Sequence, residues 1–379
     1  MKVIAELEAR MSTRLDELKE EKKNGRKIVG YTPTGYCPEE LILACGAIPL
    51  GYIFAGNTDL LTDVLRYASK WYDGFWLSQI QYYLGGHPYY DLVDFSVNAA
   101  GDQHVRNFAW VTEYFAQHRP LDYLGIPHTK QNGTKEYYLS GIVRLKKELE
   151  KLTGVEITDE KLKESVQLCS KERLLFAEIR ALRKENSFAA SGRDFIMLQH
   201  GSHLLDKNVM IGILEQYLKE AKEAAPINIG PRIFLTGTGL GLGDDKIITA
   251  IEKAGATVVY ENFIECIRPC IGAVKTEGDI LDNIAQLYYT DCPSPGWHNP
   301  VDEYIANLIG LIKDYKADGV IWYHGLYRDS YKLLSYYTPD MIRQQTGLDT
   351  IVFETYYEST EVGPMELRVK SFVDILKGE

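Results

Sequence analysis

The sequence has no long hydrophobic run, no excess of basic residues and few cysteines, and each shortage excludes a class of protein. It contains no run of about eighteen apolar residues, so we expect no membrane-spanning helix. The formal net charge of -11 argues against a nucleic-acid partner, which requires a basic surface. Residues 1–27 are charged and amphipathic and lack the apolar centre of a signal peptide, so we expect a cytoplasmic protein.

The cysteine content is low for a disulfide-stabilised protein. Six cysteines occur in 379 residues, and without secretion they should be reduced thiols or metal ligands. Apolar residues make up 45% and charged residues 25% of the chain, with no low-complexity tract and no repeat of solenoid period. The composition is that of an ordinary globular protein.

The hydrophobic pattern alternates strands with helices and predicts an α/β fold. The stretches KIVGY, LVDFSVNAAG, ADGVIWYH and LDTIVFET read as strands, EELILACGAI as a helix, and PRIFLTGTGLGLGDDKIITAIEKAGATVVYENF as a βαβ unit. We predict two doubly wound parallel-sheet domains of flavodoxin or Rossmann type. The N-terminal α/β domain spans residues 1–134, a helical connecting segment 135–228, and the C-terminal α/β domain 229–379.

Ligands of such sheets bind beyond the carboxyl ends of the strands, and the glycine-rich loop 236–245 lies at one such end. Its glycines would allow a phosphate to approach the backbone. Asp244 and Asp245, however, stand where the next helix begins, and as N-caps they would satisfy its free amides and repel an anion. The loop therefore resembles a dinucleotide site only weakly.

Cysteines mark a second loop region. Cys266, Cys270 and Cys292 could converge on a metal, with Cys37 or His298 as a fourth ligand, because thiolates suit zinc and iron-sulfur clusters. Free thiols explain the same residues, since the spacing matches no strong zinc or ferredoxin pattern.

Three positions bear on the choice between a metal site and free thiols. Cys45 lies on an apolar helix face, where packing explains it, whereas Cys37 lies in a turn. Arg268 lies between the thiols of its loop and would anchor a carboxylate or phosphate, or simply form a salt bridge.

Charged and titratable residues follow two other strands. Asp102, His104 and Arg106 come after LVDFSV and could supply acid-base and anion-binding groups, although an N-capped helix explains them equally. After GVIWY, the candidates are His324, Tyr327, Arg328 and Asp329. The 26 tyrosines, with six Tyr-Tyr pairs, suit either a planar substrate or a subunit interface.

The ordered motifs carry a resemblance that covers nearly the whole chain. GYTPTGYCPEELILACGAIPLG, GDQHVRN, LTGVEITDEKLKESV, IEKAGATVVYEN and IVFETYYESTEVGPMELRVKSFVDIL occur in the order seen in the 2-hydroxyacyl-CoA dehydratase and benzoyl-CoA reductase family, including its double-cubane relatives. The resemblance implies a subunit of an oxygen-sensitive, iron-sulfur-dependent dehydratase (a lyase) or aromatic acyl-CoA reductase. It also implies a homologous cluster-bearing partner in a heterodimer, an ATP-hydrolysing activator that donates electrons, and an acyl-CoA or other small-molecule substrate.

The loops themselves supply the candidate site residues. From them we predict catalytic roles for His104, Asp102, His324 and Tyr327, substrate binding by Arg106, Arg268 and Arg328, and metal ligation by Cys37, Cys266, Cys270 and Cys292. The cofactor would be a [4Fe-4S] or double-cubane cluster, held by this chain or only by its partner.

The chain departs from the family at the cluster cysteines. The family places them in three loops; here ASKWYDGFWLSQ contains none, and Gly101-Asp102 and Tyr327-Arg328 stand where Cys-Asp is expected. Thr34 replaces a cysteine of some relatives, and Cys292 is the best single match. We favour a subunit that has lost its cluster; the alternatives are a relocated cluster and a non-catalytic scaffold.

Overall fold

The computed structural model describes residues 1–56, 61–227, 229–269, 272–357 and 359–378. Its strands form two four-stranded sheets, and every pairing between neighbouring strands is parallel. The first sheet has the order β2-β1-β3-β4 and the second the order β6-β5-β7-β8. The strands are β1 (Ile28–Tyr31), β2 (Ile48–Gly51), β3 (Phe95–Ala100), β4 (Leu121–Gly125), β5 (Arg232–Gly239), β6 (Thr257–Glu265), β7 (Gly319–Gly325) and β8 (Thr350–Thr355). The predicted fold class is confirmed.

Helices connect and cover the strands. They are α1 (Lys2–Lys23), α2 (Glu39–Ala44), α3 (Leu61–Val64), α4 (Gly74–Gly85), α5 (Gln103–Phe115), α6 (Thr134–Thr153), α7 (Asp159–Ala181), α8 (Gly192–Ser202), α9 (Lys207–Glu223), α10 (Lys246–Lys253), α11 (Ile280–Ala285), α12 (Asp302–Asp314), α13 (Asp329–Thr346) and α14 (Val362–Lys377). A π-helical turn, Gln286–Asp291, continues α11, and 3-10 turns occupy Tyr90–Leu92, Leu182–Lys184 and Ser359–Glu361. No helix within these ranges is long and apolar enough to cross a membrane.

Both faces of each sheet are buried, which explains why the strands read as nearly continuous apolar runs. In β1, Val29 and Ile28 point to opposite faces and belong to separate apolar cores. In β5, Ile233 and Phe234 likewise point to opposite faces and belong to separate cores. Side chains of α1 pack with those of α8 and α9 in another core, so the N-terminal helix contacts the helical segment.

The two sheets meet through backbone contacts near their carboxyl ends. Phe54 and Leu242 form a parallel β-bridge, in which the Ala55 amide donates to the Leu242 carbonyl at 2.8 Å. The Cys266 amide donates to the Pro33 carbonyl at 2.9 Å. These contacts bring the loop after β2 against the loop after β5, and the loop after β1 against the loop after β6.

Candidate active site between the two sheets

A cavity of about 390 Å³ lies where these loops meet. Thr34 and Tyr36 follow β1, Asp102 follows β3, and Glu265 ends β6. Other lining residues come from the loop before α12, from α7, α12 and α13, among them Cys292, Trp297, Tyr304 and Tyr331. A concave, aromatic-lined space at the carboxyl edges of parallel strands is the usual position of a ligand site.

A buried ion-pair cluster, which we call the Arg328 centre, forms the inner wall. It consists of Arg328, Asp73, Asp102 and Glu265. The Arg328 Nη2 atom lies 2.5 Å from Asp102 Oδ2 and 2.7 Å from Glu265 Oε1, and Nη1 lies 4.0 Å from Asp73 Oδ1. Side-chain exposure is 1% for Arg328 and Glu265 and 2% for Asp73. One guanidinium therefore joins carboxylates from both sheets in a nearly dry environment.

Helix capping explains why two of these carboxylates lie there. Asp102 is the N-cap of α5, and its Oδ1 accepts from the amides of His104 and Val105 at 2.9 and 3.1 Å. Asp73 is the N-cap of α4 and accepts from the Trp76 amide at 3.2 Å. At Asp102 the cap uses Oδ1 and leaves Oδ2 for Arg328, whereas at Asp73 the capping Oδ1 atom is also the one nearest Arg328. The capping that the sequence offered for Asp102 is confirmed, and its catalytic role stays a prediction.

Glu265 is the most perturbed carboxyl group of the site. Burial raises its pKa to about 8, against the opposing attraction of Arg328, and the nearby charges of Asp102 and Asp73 raise it further. Its Oε1 atom also accepts from Trp76 Nε1 at 3.4 Å. Its Oε2 atom has no hydrogen-bond partner among the described residues, as is true of Thr34 Oγ1 on the same cavity.

Of the predicted catalytic residues, His104 and Tyr327 lie beside this centre and not in the cavity. His104 Nε2 donates to the Tyr327 carbonyl at 2.8 Å, while Nδ1 accepts from the Asp73 amide at 3.4 Å. The ring of Tyr327 packs edge-on against Trp71, with centroids 5.6 Å apart. Tyr327 also has φ of 69°, a left-handed conformation unusual for a side chain of this size. Both residues line a second groove, which Asp102 and Arg328 of the centre also border.

His324 and Arg106 lie elsewhere. His324 is buried in β7, 3.7 Å from Glu354, and burial lowers its pKa to about 4. Arg106 is exposed on α5 and lines an open surface groove with Trp110 and Tyr137. Neither residue borders the inter-sheet cavity.

Arg268 lines the cavity, but its guanidinium is already engaged. Nη2 lies 2.9 Å from Glu39 Oε1 and Nη1 lies 3.3 Å from Glu172 Oε2. Lys207 completes this network, at 3.0 Å from Glu39 and 2.7 Å from Glu172. The cluster joins α2, α7 and α9 to the loop after β6.

The cysteines do not form a metal centre within the described part of the chain. Cys37, Cys266 and Cys292 are buried, and no three His, Cys, Asp or Glu side chains among the described residues are placed to hold a metal ion. Burial raises the pKa of Cys292 to about 12 and the pKa values of Cys37 and Cys266 well above the usual thiol range. Cys270 lies outside the described residues.

An iron-sulfur cluster requires several convergent thiolates. The described cysteines therefore do not fit such a group. The three loops in which the resemblance implies cluster thiolates contain instead Asp73, Asp102 and Arg328, which are held together by ion pairs. Cys45, by contrast, is buried in the core as its pattern predicts.

The glycine-rich loop has a structural role that the sequence did not reveal. A Cβ on Gly243 would lie 2.6 Å from the Ala55 carbonyl oxygen. Glycine at this position therefore allows the loop backbone to pack closely against the chain that follows β2 of the first sheet. The expected side-chain capping of α10 is wrong: Asp245 is the N-cap but its side chain makes no capping bond. Asp244 is buried and accepts from the Tyr323 hydroxyl at 3.0 Å.

Two members of the centre, Asp73 and Glu265, were missed by sequence reasoning. Glu265 ends a strand directly before Cys266, and Asp73 directly precedes α4. A carboxylate at the end of a parallel strand or at a helix N-cap was the available signal.

Comparisons with known proteins agree with this architecture. The chain is 29% identical over 280 residues to "Putative dehydratase subunit YjiM" of Escherichia coli (strain K12), covering 70% of each chain. It is 22% identical to a benzoyl-CoA reductase subunit of Thauera aromatica, over 93% of this chain and 91% of that protein.

The (R)-phenyllactyl-CoA dehydratase beta subunit of Clostridium sporogenes is 21% identical, over 95% of this chain and 94% of that protein. The family model for the 2-hydroxyglutaryl-CoA dehydratase D-component matches residues 34–376. The match includes every strand except β1 and all residues that line the cavity, and the chain therefore belongs to the 2-hydroxyglutaryl-CoA dehydratase D-component family.

Proposed function

We propose that the chain is a subunit of an iron-sulfur-dependent enzyme that dehydrates a 2-hydroxyacyl-CoA or reduces an aromatic acyl-CoA. The observation that carries this proposal is the aromatic cavity between the carboxyl edges of the two sheets, in a chain that matches the family from residue 34 to residue 376. We assign the acyl group of the thioester to this cavity. The cytoplasmic location and the three-part division of the chain stay predictions.

Within this proposal the chain binds and orients the substrate. Aromatic side chains of the cavity would contact the acyl group and exclude water from it. The unpartnered Oε2 of Glu265 and Oγ1 of Thr34 are available to hydrogen-bond a carbonyl or hydroxyl group. Because the described thiols do not fit a cluster, we assign the cluster to a homologous partner and electron delivery to an ATP-hydrolysing activator.

Exposed aromatic residues support a partner chain. Trp71, Trp110, Tyr114 and Tyr336 are between 55% and 72% exposed. Aromatic side chains are enriched at subunit interfaces. A relocated cluster on Cys37, Cys266, Cys270 and Cys292 has no support from the described residues, and the roles assigned to His104, His324, Tyr327 and Arg106 stay predictions.

The test is anaerobic purification of the chain with any polypeptide that accompanies it, followed by assay with ATP, a low-potential reductant and acyl-CoA substrates. We expect dehydratase or reductase activity that requires both chains. Trp297→Ala, in the cavity, should reduce activity at least about tenfold, whereas Ile375→Ala, on the exposed surface of α14, should leave turnover unchanged.

Weaker binding of the partner to the Trp110→Ala chain, measured separately, would support an interface at the exposed aromatic residues. A chain that purifies alone and binds no acyl-CoA would instead identify a scaffold that has lost the reaction.

A further inference from the structure

The charged residues that line the cavity are already paired with protein groups. The carboxylates of Asp102 and Glu265 contact Arg328, and Glu261 accepts two hydrogen bonds from the Arg183 guanidinium. The cationic side chains on the cavity are paired with protein groups as well. Lys184 lies 2.7 Å from Asp314, and the Arg268 guanidinium contacts Glu39 and Glu172.

The remaining cation on the cavity, Arg180, stacks on aromatic rings. Its guanidinium carbon lies 4.6 Å from the ring centroids of both Phe195 and Tyr260. All three cations on the described lining therefore have protein partners, and Lys184 or Arg268 would have to give up an ion pair to bind a ligand carboxylate.

The inner wall has a surplus of acidic groups. In the Arg328 centre one guanidinium faces three carboxyl groups, and two of these, Asp102 and Glu265, border the cavity. An additional carboxylate placed there would be repelled by Asp102, and by Glu265 as well above its raised pKa of about 8, and would lose its hydration. The remaining lining includes seven aromatic side chains: Tyr36, Tyr260, Phe263, Trp297, Tyr304, Tyr315 and Tyr331. These rings suit a flat apolar group.

We propose that the cavity takes an uncharged, ring-bearing acyl group and discriminates against acyl groups that carry a second carboxylate. This inference rests on the proposed function, since it assumes that the cavity binds the acyl part of a CoA thioester. Among the substrates named for relatives, it favours phenyllactyl-CoA or benzoyl-CoA over 2-hydroxyglutaryl-CoA.

Equilibrium binding to the purified protein, with any partner chain that accompanies it, tests the inference. The probes are phenyllactyl-CoA, 2-hydroxyglutaryl-CoA and the amide of the latter, in which CONH2 replaces the distal carboxylate. We expect phenyllactyl-CoA and the amide each to bind at least about tenfold more tightly than the acid. The amide and the acid have nearly the same shape, so their difference isolates the charge and requires no protein variant.

Two variants then test whether the Arg328 centre causes the discrimination between amide and acid. Glu265→Gln, compared at a pH above about 8, where the Glu265 carboxyl is ionised, removes one negative charge of the inner wall and should reduce the ratio between amide and acid. Asp122→Asn is the matched control, because Asp122 is also buried and paired, with Arg144, but lies outside the cavity lining. It should leave the ratio unchanged.

The outcomes separate the two proposals. Equal binding of acid and amide, or tighter binding of the acid, would overturn the charge discrimination and leave the acyl-CoA assignment standing. Failure of all three thioesters to bind would overturn both. An unchanged ratio in Glu265→Gln would contradict the assignment of the discrimination to the Arg328 centre.

Discussion

Arg328 neutralises carboxylates that neither sheet could bury alone. In Arg328→Ala, Asp73, Asp102 and Glu265 would remain near one another without their cation. Removing one partner of a buried ion pair typically costs about 3–5 kcal/mol, so we expect the free energy of unfolding to fall by about that amount. Urea unfolding followed by circular dichroism measures the change.

The matched control is Arg343→Ala. Arg343 also pairs with a carboxylate, Asp349, but the two side chains are 67% and 47% exposed, and exposed pairs contribute at most about 1 kcal/mol. Equal effects of the two substitutions would mean that the Arg328 centre is more hydrated than its burial indicates.

His324 should make the protein less stable in acid. Burial lowers its pKa to about 4, although Glu354 opposes this shift, whereas the unfolded chain takes up the proton near the ordinary value of 6.5. The unfolded state therefore binds more protons between these values, and stability falls as the pH decreases from about 6.5 to about 4. In His324→Gln the slope of the free energy of unfolding against pH should decrease by the equivalent of up to one bound proton.

Urea unfolding at a series of pH values gives the slope. Lys332 and Arg328 also lie near His324, so the comparison is made at constant ionic strength. His118→Gln, at an exposed position, is the control and should retain the slope of the unmodified protein. A slope unaltered by His324→Gln would show that other buried histidines dominate the acid response.

At the scale of secondary-structure elements, the glycine-rich loop after β5 is a contact between the sheets. Gly243 has φ of 102°, and an added Cβ would approach the Ala55 carbonyl oxygen to 2.6 Å. Gly243→Ala should therefore destabilise the protein by roughly 2 kcal/mol or more through strain and loss of the bridge. Thermal or urea unfolding checks this.

Gly212→Ala is the control, in which the same substitution should have the opposite effect on stability. Gly212 is exposed within α9, and nothing lies within 4 Å of its added Cβ. Alanine there should stabilise the helix by about 0.5–1 kcal/mol. Destabilisation by both substitutions would indicate that helix α9, too, is constrained at this position.

The sequence predicts the elements best where apolar runs are long. KIVGY and GVIWY are buried on both faces, so composition alone identifies β1 and β7. Two short strands escape prediction. IPLG, which forms β2, contains a proline and directly follows a helical pattern, and LDYLG, which forms β4, is only half-buried and carries an aspartate.

The sequence predicts the site less completely. Asp102 and Arg328 were selected because they follow strands, and the structure brings these two together. The local sequence does not show that Asp73 and Glu265 join them, because this contact depends on how the two sheets pack against each other. The cysteines were selected for their chemistry, but Cys37 and Cys292 are buried in one apolar core and Cys266 in another.

For the molecule as a whole, we expect the chain to fold without taking up iron. After anaerobic incubation with ferrous iron, sulfide and thiol, the desalted chain should retain well under roughly one iron per polypeptide, since a cubane needs about four thiolate ligands. Iron and acid-labile sulfide analysis, with an absorption spectrum, gives the result. Any accompanying chain, treated in parallel, is the positive control.

A contrary result would be equally specific. About four irons per chain, lost in Cys37→Ser or Cys292→Ser, would show that those thiols rearrange around a cluster. The family membership would be unaffected, since it depends on the match over residues 34–376.

The guanidinium of Arg328 has a further consequence for how the enzyme is assembled. An arginine is present as soon as the chain is synthesised, needs no metal-delivery machinery and is not destroyed by air. The contact between the two sheets can therefore form during folding and, if a partner chain holds the cluster as proposed, before that cluster is inserted. If the complex loses activity in oxygen, that damage should be found on the partner, and this subunit should be recoverable intact for reassembly with fresh partner.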